Sequence, residues 1–364
     1  MNDAPDRPLR YGWTTGACAT AAAKAAFTAL VGSDFPDPVA IALPKGHTPA
    51  FPLAAHSLDA GEAAATVIKD AGDDPDVTHG AEIRATVRRG APGAGVVFRA
   101  GEGVGTVTRA GLPVEPGEPA INPVPRRLIA AAVAEVAEAH GVAGDAEVTV
   151  AIPDGAEMAR HTWNPRLGIE GGLSVLGTTG VVTPYSCSAW IDSIHRGIDV
   201  AREAGYRHVG AATGSTSEKL IQTLYGLPET ALLDMGDFAG GLLKYLRRHP
   251  LPAITIAGGF AKIAKLGQGA LDLHSRRSQI DRAWLAARLG ELGAPEALLE
   301  RAQAANTGAE ILAASRAAGL PLADAVADRA RRSALDVLRD CGTEVEILIA
   351  DRAGDLVGRA AGHG

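Results

Sequence analysis

RHVGAATGSTSEKLIQTLYG, residues 207–226, is the stretch that decides the fold. Its opening run through Thr213 is apolar and predicts a strand. Thr213 and Gly214 then turn the chain into a helix that closes at Gly226. Ser215, with Glu218 three residues later, fits a capping box, so a helix N-terminus is expected directly beyond a strand. Free backbone N–H groups in such a place suit a phosphate or a carboxylate. The same rhythm continues on both sides. Residues 191–205 read as a helix, 231–235 as a strand, 238–248 as a helix and 253–259 as a third strand. Alanine-rich helices fill 281–340, and a last strand covers 344–352. Such alternation predicts an α/β domain over residues 191–364, with a Rossmann-like, mostly parallel sheet.

The preceding half reads differently. Residues 15–30 predict a helix capped by Thr14 or Thr15. Short β-like runs follow near 38–43, 50–55, 62–69, 81–88 and 95–100, broken by Pro, Gly or Asp as in hairpins. Asn122-Pro123 starts a second helix whose Leu128, Ile129, Ala132, Val133, Val136 and Ala137 share one face, and a strand is expected at 147–152. This predicts an α+β domain with antiparallel strands over residues 1–190, the boundary lying within 185–195 and strand exchange left open.

Composition narrows the function. The chain has 364 residues, enough for two domains, with 46% hydrophobic and 21% charged residues, which excludes disorder. With 35 basic against 42 acidic residues the net charge is −7, so a nucleic-acid or membrane-surface protein is not expected. An anionic ligand would need a local basic pocket. Cys18, Cys187 and Cys341 are too few and too scattered for a disulfide framework, which points to the cytoplasm. No signal peptide is expected at the start. The uncharged stretch 171–191 is rich in Gly, Thr and Ser and holds Pro184, so it reads as a buried loop and strand, not a membrane span.

Several residues could carry chemistry. The Gly214-Ser215-Thr216-Ser217 turn, Asp234 about 20 residues on, and Gly258 each end a strand on what would be one sheet edge, where open α/β sheets bind ligands. The fingerprint G-x-G-x-x-G is absent from that turn. Gly101-Glu102-Gly103-Val104-Gly105 mimics a nucleotide loop, but no helix pattern follows, so a turn or bulge is expected. Asp70, Asp73, Asp74 and Asp76 crowd one segment that fails the EF-hand pattern. It reads as a solvated turn, a binder of cationic groups or a divalent-ion site. Arg126 and Arg127 oppose the helix dipole at the start of the second helix, which suggests a bound anion. Arg166, His274 and Arg276 mark further basic spots. No histidine pair has zinc-ligand spacing, and no G-x-S-x-G elbow occurs.

A set of long motifs goes further. Gly12-x-Thr14-Thr15-Gly16-x-Cys18-Ala19 with Ala21, Ala22 and Lys24, KDAGDDPDVT at 69–78, GEGVGTVTRAGL at 101–112 and GEPAINPVPR at 117–126 resemble the cobalt-precorrin-5B C(1)-methyltransferase family. So do NPRLGIEGGLSVLGTTGVVTP at 164–184, MGDFAGG at 235–241 and HSRRSQID at 274–281. Trp13 departs from an expected tyrosine or phenylalanine, and residues 282–364 match only in helical character. The resemblance implies S-adenosylmethionine-dependent methylation of ring carbon C1 of a contracted tetrapyrrole in cobalamin biosynthesis, with cobalt entering only as part of the substrate. It implies a fold unlike that of the other ring methylases.

Under that reading, Asp234 and Asp237 would hold the ribose, the Gly214–Ser217 turn and Gly258 the rest of the donor, and Arg126, Arg127, Arg166, His274 and Arg276 the substrate carboxylates. Asp70, Asp73 and Asp74 would be candidates for a catalytic base. A carboxylate against the sulfonium itself would favour reactant over transition state, so none is expected there. A nicotinamide oxidoreductase and a non-catalytic corrinoid carrier are the alternatives. A homo-oligomer is compatible with everything above.

Overall fold

The computed structural model describes residues 8–361, which fall into two units, residues 1–187 and 188–364. In chain order the first holds β1 (Gly12–Trp13), α1 (Thr15–Leu30), β2 (Val39–Ala40), β3 (Ala50–Phe51), β4 (Ala55–Asp59), β5 (Glu62–Ile68), β6 (Glu82–Arg89) and β7 (Val96–Ala100). It continues with β8 (Thr106–Val107), α2 (Pro123–His140), β9 (Ala146–Ala151), α3 (Gly155–Ala159), β10 (Ile169–Glu170) and β11 (Val181–Val182). The main sheet runs β4-β5-β6-β9-β7, antiparallel except for the parallel β7–β9 pair. That pair is joined by a crossover through α2, which strand periodicity alone could not reveal.

Alternation sets the faces. Ala63, Ala65 and Val67 of β5, Ile83, Ala85 and Val87 of β6, and Val148 and Val150 of β9 point to one side, where α1 and α2 cover them. Alanines buried all around α1 let it approach both the sheet and α2 closely. The side chain of its N-cap Thr14 accepts from the Ala17 N–H at 3.2 Å. The glycine run at 101–105 is indeed a turn with Gly103 at φ 69°, and it leads into β8, not a helix. Of the buried loop and strand expected over 171–191, the loop dominates, with Leu173 and Val175 buried, and the strand shrinks to two residues. Beyond the two residues of β11, residues 171–187 are irregular, with Leu176 and Tyr185 exposed.

The second unit holds α4 (Ser188–Glu203), β12 (His208–Ala212), α5 (Ser215–Tyr225), β13 (Leu232–Asp234), α6 (Ala239–Leu246), β14 (Ala253–Gly259) and α7 (Phe260–Gly267). Then come α8 (Arg282–Glu291), α9 (Glu296–Ala304), α10 (Gly308–Ala317), α11 (Leu322–Leu338), β15 (Glu344–Ala350) and β16 (Leu356–Ala360). Its sheet runs β13-β12-β14-β15-β16, with the first four strands parallel and β16 an antiparallel edge. One face packs on α4, α6, α7 and the later helices through Val209, Ala211, Ile254, Ile256 and Ile347. The opposite face packs on α5 through Leu220, Ile221, Leu232, Ala257 and Leu348. The path from β12 to β13 therefore crosses one face and the path from β13 to β14 crosses the other. Among the described residues no helix is long and apolar enough to cross a membrane.

Candidate functional site

A reversal of that kind opens a crevice at the carboxyl ends of the two strands that flank it, β12 and β14. Register pairing sets Ala212, Asp234 and Ala257 at one level, so the segments after β12, β13 and β14 emerge side by side. Thr213 N donates to Ala257 O at 3.0 Å, and Met235 N to Ala212 O at 2.9 Å, which fixes those exits.

At the first exit the expected capping box is not formed. α5 begins at Ser215 with Gly214 as its N-cap, and no side chain caps it. Ser217 is buried and donates to Gly214 O at 2.8 Å, whereas Ser215 and Thr216 are exposed. Gly214 has extended backbone (φ 162°), and a Cβ built there would meet nothing within 4 Å. The helix start thus opens on space, its first N–H groups unclaimed by a cap. Gly258 differs, because a Cβ there would press on Thr213 Oγ1 at 2.9 Å and on Ile263. Its glycine serves packing between the exits of β12 and β14.

At the second exit, Asp234 Oδ1 accepts from Gly236 N at 3.1 Å and its carbonyl accepts from Trp190 Nε1 at 2.9 Å. The half-exposed Trp190 indole lies over Gly236, where a Cβ would come within 3.2 Å of it, and tilts toward Phe238 at 6.1 Å between ring centroids. The Asp237 carboxylate is occupied by Lys262 at the start of α7.

In the first unit the acidic segment is a clasp. Arg10 grips Asp70 with both guanidinium nitrogens, and its backbone N–H donates to Asp73 Oδ2 at 2.8 Å. Tyr185 N donates to Asp74 Oδ1 at 2.8 Å. Asp76 takes the ammonium of Lys69, a side chain only 2% exposed, together with the Thr78 hydroxyl at 2.7 Å. The Arg10 hydrogen bond holds the Asp70 carboxyl below the usual carboxylate range. Burial pushes Asp76 up, but Lys69 and Thr78 outweigh it and hold that carboxyl low as well. Asp70, Asp73 and Asp74 thereby tie residue 10 and residue 185 to one loop, which is a different task from the base expected of them. Among the described residues no group of three or more His, Cys, Asp or Glu could hold a metal ion.

The basic candidates divide. Arg126 donates to Ile121 O at 2.8 Å, Pro119 O at 3.0 Å and Glu118 at 3.2 Å, and lies over Phe98, so its guanidinium closes the 117–122 loop. Arg127 is exposed in the first turn of α2. Arg166 lies over the Trp163 ring, 4.9 Å from its centroid. His274 Nδ1 accepts from Arg276 N at 3.3 Å in an exposed turn, leaving the Arg276 side chain outward.

The CbiD family model matches residues 2–184, and the model of the CbiD C-terminal domain matches residues 272–361. A protein of Paramagnetospirillum magneticum named cobalt-precorrin-5B C(1)-methyltransferase is 60% identical, over 98% of this chain and 99% of its own. Proteins of the same name from Bradyrhizobium sp. and Brucella anthropi are 58% and 59% identical over 99% and 96% of the chain, and 96% and 95% of theirs. The chain belongs to the CbiD family. A crystal structure of the cobalamin biosynthesis protein cbiD from Archaeoglobus fulgidus matches with 26% identity and a TM-score of 0.40, over 74% of this chain and 83% of that one.

CbiD membership extends the likeness beyond residue 281, where the motifs had stopped, through the helices and β15–β16. Two features of this CbiD chain escaped sequence reasoning. Trp190 stands in the first turn of α4, within the stretch expected to be loop and strand, although an indole in a chain only 4% aromatic is a usable signal. Arg10 lies before the first motif and carried no signal at all.

Proposed function

We propose that the chain transfers a methyl group from S-adenosylmethionine to ring carbon C1 of cobalt-precorrin-5B, the activity for which its relatives are named. The carbon–carbon bond forms as the carbon–sulfur bond breaks, and sulfur keeps the bonding pair, leaving a neutral thioether. The second unit, with its strand order reversing beside β12, serves as a Rossmann-like nucleoside site. One observation carries this reading. The uncapped N-terminus of α5 at Gly214 stands next to an acid, Asp234, that ends the neighbouring strand.

In this reading the N–H groups following Gly214 take the donor's methionine carboxylate, helped by the helix dipole. Asp234 accepts from the ribose hydroxyls, and the exposed face of Trp190 gives the adenine a stacking partner. Asp237 positions Lys262 and is not a ligand. In the first unit, Arg127 and Arg166 meet carboxylates of the macrocycle. The protein's main contribution is alignment of methyl and C1, an effect worth roughly 7–11 kcal/mol in well-oriented systems. Its three free cysteines support a place in the cytoplasm.

The test is to incubate the protein with cobalt-precorrin-5B and donor carrying a ¹³C methyl. One labelled methyl, assigned to C1 by NMR, is expected in the product. Macrocycle bound but unmodified would instead identify a carrier, and consumption of NADH an oxidoreductase.

A further inference from the structure

Arg109 was not among the expected basic residues, yet the structure gives it an unusual setting. Gly168 has φ 74°, and a Cβ built on it would strike the Arg109 side chain at Cγ (2.5 Å), Cδ (2.6 Å) and Cβ (2.8 Å). The whole aliphatic stem of Arg109 therefore lies on glycine backbone, in a place any other residue would fill. The supporting loop is itself rigid. Thr108 N and Oγ1 donate to Gly168 O at 2.8 and 3.0 Å, Ile169 N to Asn164 O at 2.9 Å, and the Asn164 side chain, 7% exposed, reaches Gly172 O and Ser174.

The guanidinium of Arg109, by contrast, is exposed and meets no acid, hydrogen-bond acceptor or aromatic ring among the described residues. Two residues before Gly168, Arg166 lies over Trp163. The Gly168 segment thus bears on two arginines, seating the stem of Arg109 and carrying Arg166 two residues earlier in sequence. An arginine whose stem is already ordered loses less freedom on binding, and its planar fork matches a carboxylate. Glu170 is the acid of this neighbourhood, and Thr108 Oγ1 lies 3.3 Å from it.

We propose that Arg109, seated on Gly168 beside Arg166, binds a peripheral carboxylate of the macrocycle and so selects acid-bearing tetrapyrroles. The proposal rests on the methyltransferase reading above, which names the substrate class. Arg109 acts by direct contact with the substrate and takes no part in holding the donor.

The test uses the full chain and two stable corrins, cobyrinic acid with its free carboxylates and its heptamethyl ester, with binding followed by corrin absorption. Arg109→Gln is expected to weaken cobyrinic acid roughly tenfold or more. The same variant should bind the ester as the unsubstituted protein does, bind S-adenosylmethionine unchanged, and unfold at the same temperature. Arg109→Lys should recover part of the loss, because it restores the charge but not the fork. Equal affinity of Arg109→Gln and the unsubstituted protein for cobyrinic acid would overturn the proposal. An equal loss for acid and ester would do so too, since that marks a change of shape and not of charge. Failure of the unsubstituted protein to methylate cobalt-precorrin-5B overturns the wider reading instead, and that assay is run independently of the corrin titrations.

Discussion

Lys69 is the residue whose environment is hardest to sustain. Its ammonium is buried and held by Asp76 and Thr78. A buried charge left without its partner costs about 3–5 kcal/mol, so Asp76→Asn should lower the urea-unfolding stability of the first unit on that scale. Lys69→Met should cost less, because Asp76 retains 24% exposure and can hydrate. Equal losses for the two would contradict this account of the pair. The same residues set an acid limit. The carboxyls of Asp70 and Asp76 lie lower in the folded chain than the unfolded value of about 3.9. Their contribution is therefore complete above that value and is lost as pH falls through the folded ones. Unfolding midpoints measured from pH 6 downward should drop in this range, and less steeply in Asp70→Asn. An unchanged slope in that variant would remove Asp70 from the explanation.

Among the elements, α5 matters most, since it covers its sheet face and presents Gly214. Its far end is anchored by a polar cluster. Glu346 on β15 accepts from Tyr225 at 2.5 Å, Thr255 at 2.7 Å and Arg359 at 2.7 Å, and Thr255 meets His208 at 2.8 Å. Burial first, and then Glu346, push the Tyr225 hydroxyl up to about 12. Burial and Asp199 push the Tyr245 hydroxyl equally far, so ultraviolet titration should show two tyrosines ionising that high, and Tyr225→Phe should remove one of them at a stability cost of about 1 kcal/mol. An undiminished late-ionising signal, still equal to two tyrosines in that variant, would refute the assignment.

Elements of this kind were largely legible in advance. The bounds of α1, the Asn122-Pro123 start of α2 and the strand ends at Asp234 and Gly258 all follow from local caps and periodicity. What local pattern could not supply was long-range pairing. The β1–β11 and β8–β10 ladders have two residues per strand, too short for any period, and β16 lies beyond an Asp/Gly turn that masked it. The site shows the same division. Gly214, Asp234 and Gly258 share an edge because each lies at or just beyond the carboxyl end of a parallel strand. The partners of Arg126, Asp70 and Asp237 depend on segments brought together only by folding.

At the scale of the whole molecule, each unit has an apolar core of its own. One is built on α1, α2 and β5, β6 and β9, the other on β12, β14 and β15 with their helices. Two calorimetric transitions are expected, and S-adenosylmethionine at about 100 times its Kd should stabilise the one belonging to residues 188–364 by about 2.7 kcal/mol. A donor that shifts only the other transition would relocate its site. The net charge of −7 also fits this scale, because a polycarboxylate macrocycle must then be met by local arginines and not by the overall field.

The proposed donor site lies where β12 and β14 part, against Gly214. Gly214→Val is compatible with the extended backbone there, and its side chain would project into open space, so the fold should be unaffected. Calorimetric titration with S-adenosylmethionine should then show binding to the unsubstituted protein and at least a tenfold loss in the variant, at an unchanged melting temperature. Equal affinity in the two proteins would contradict the account.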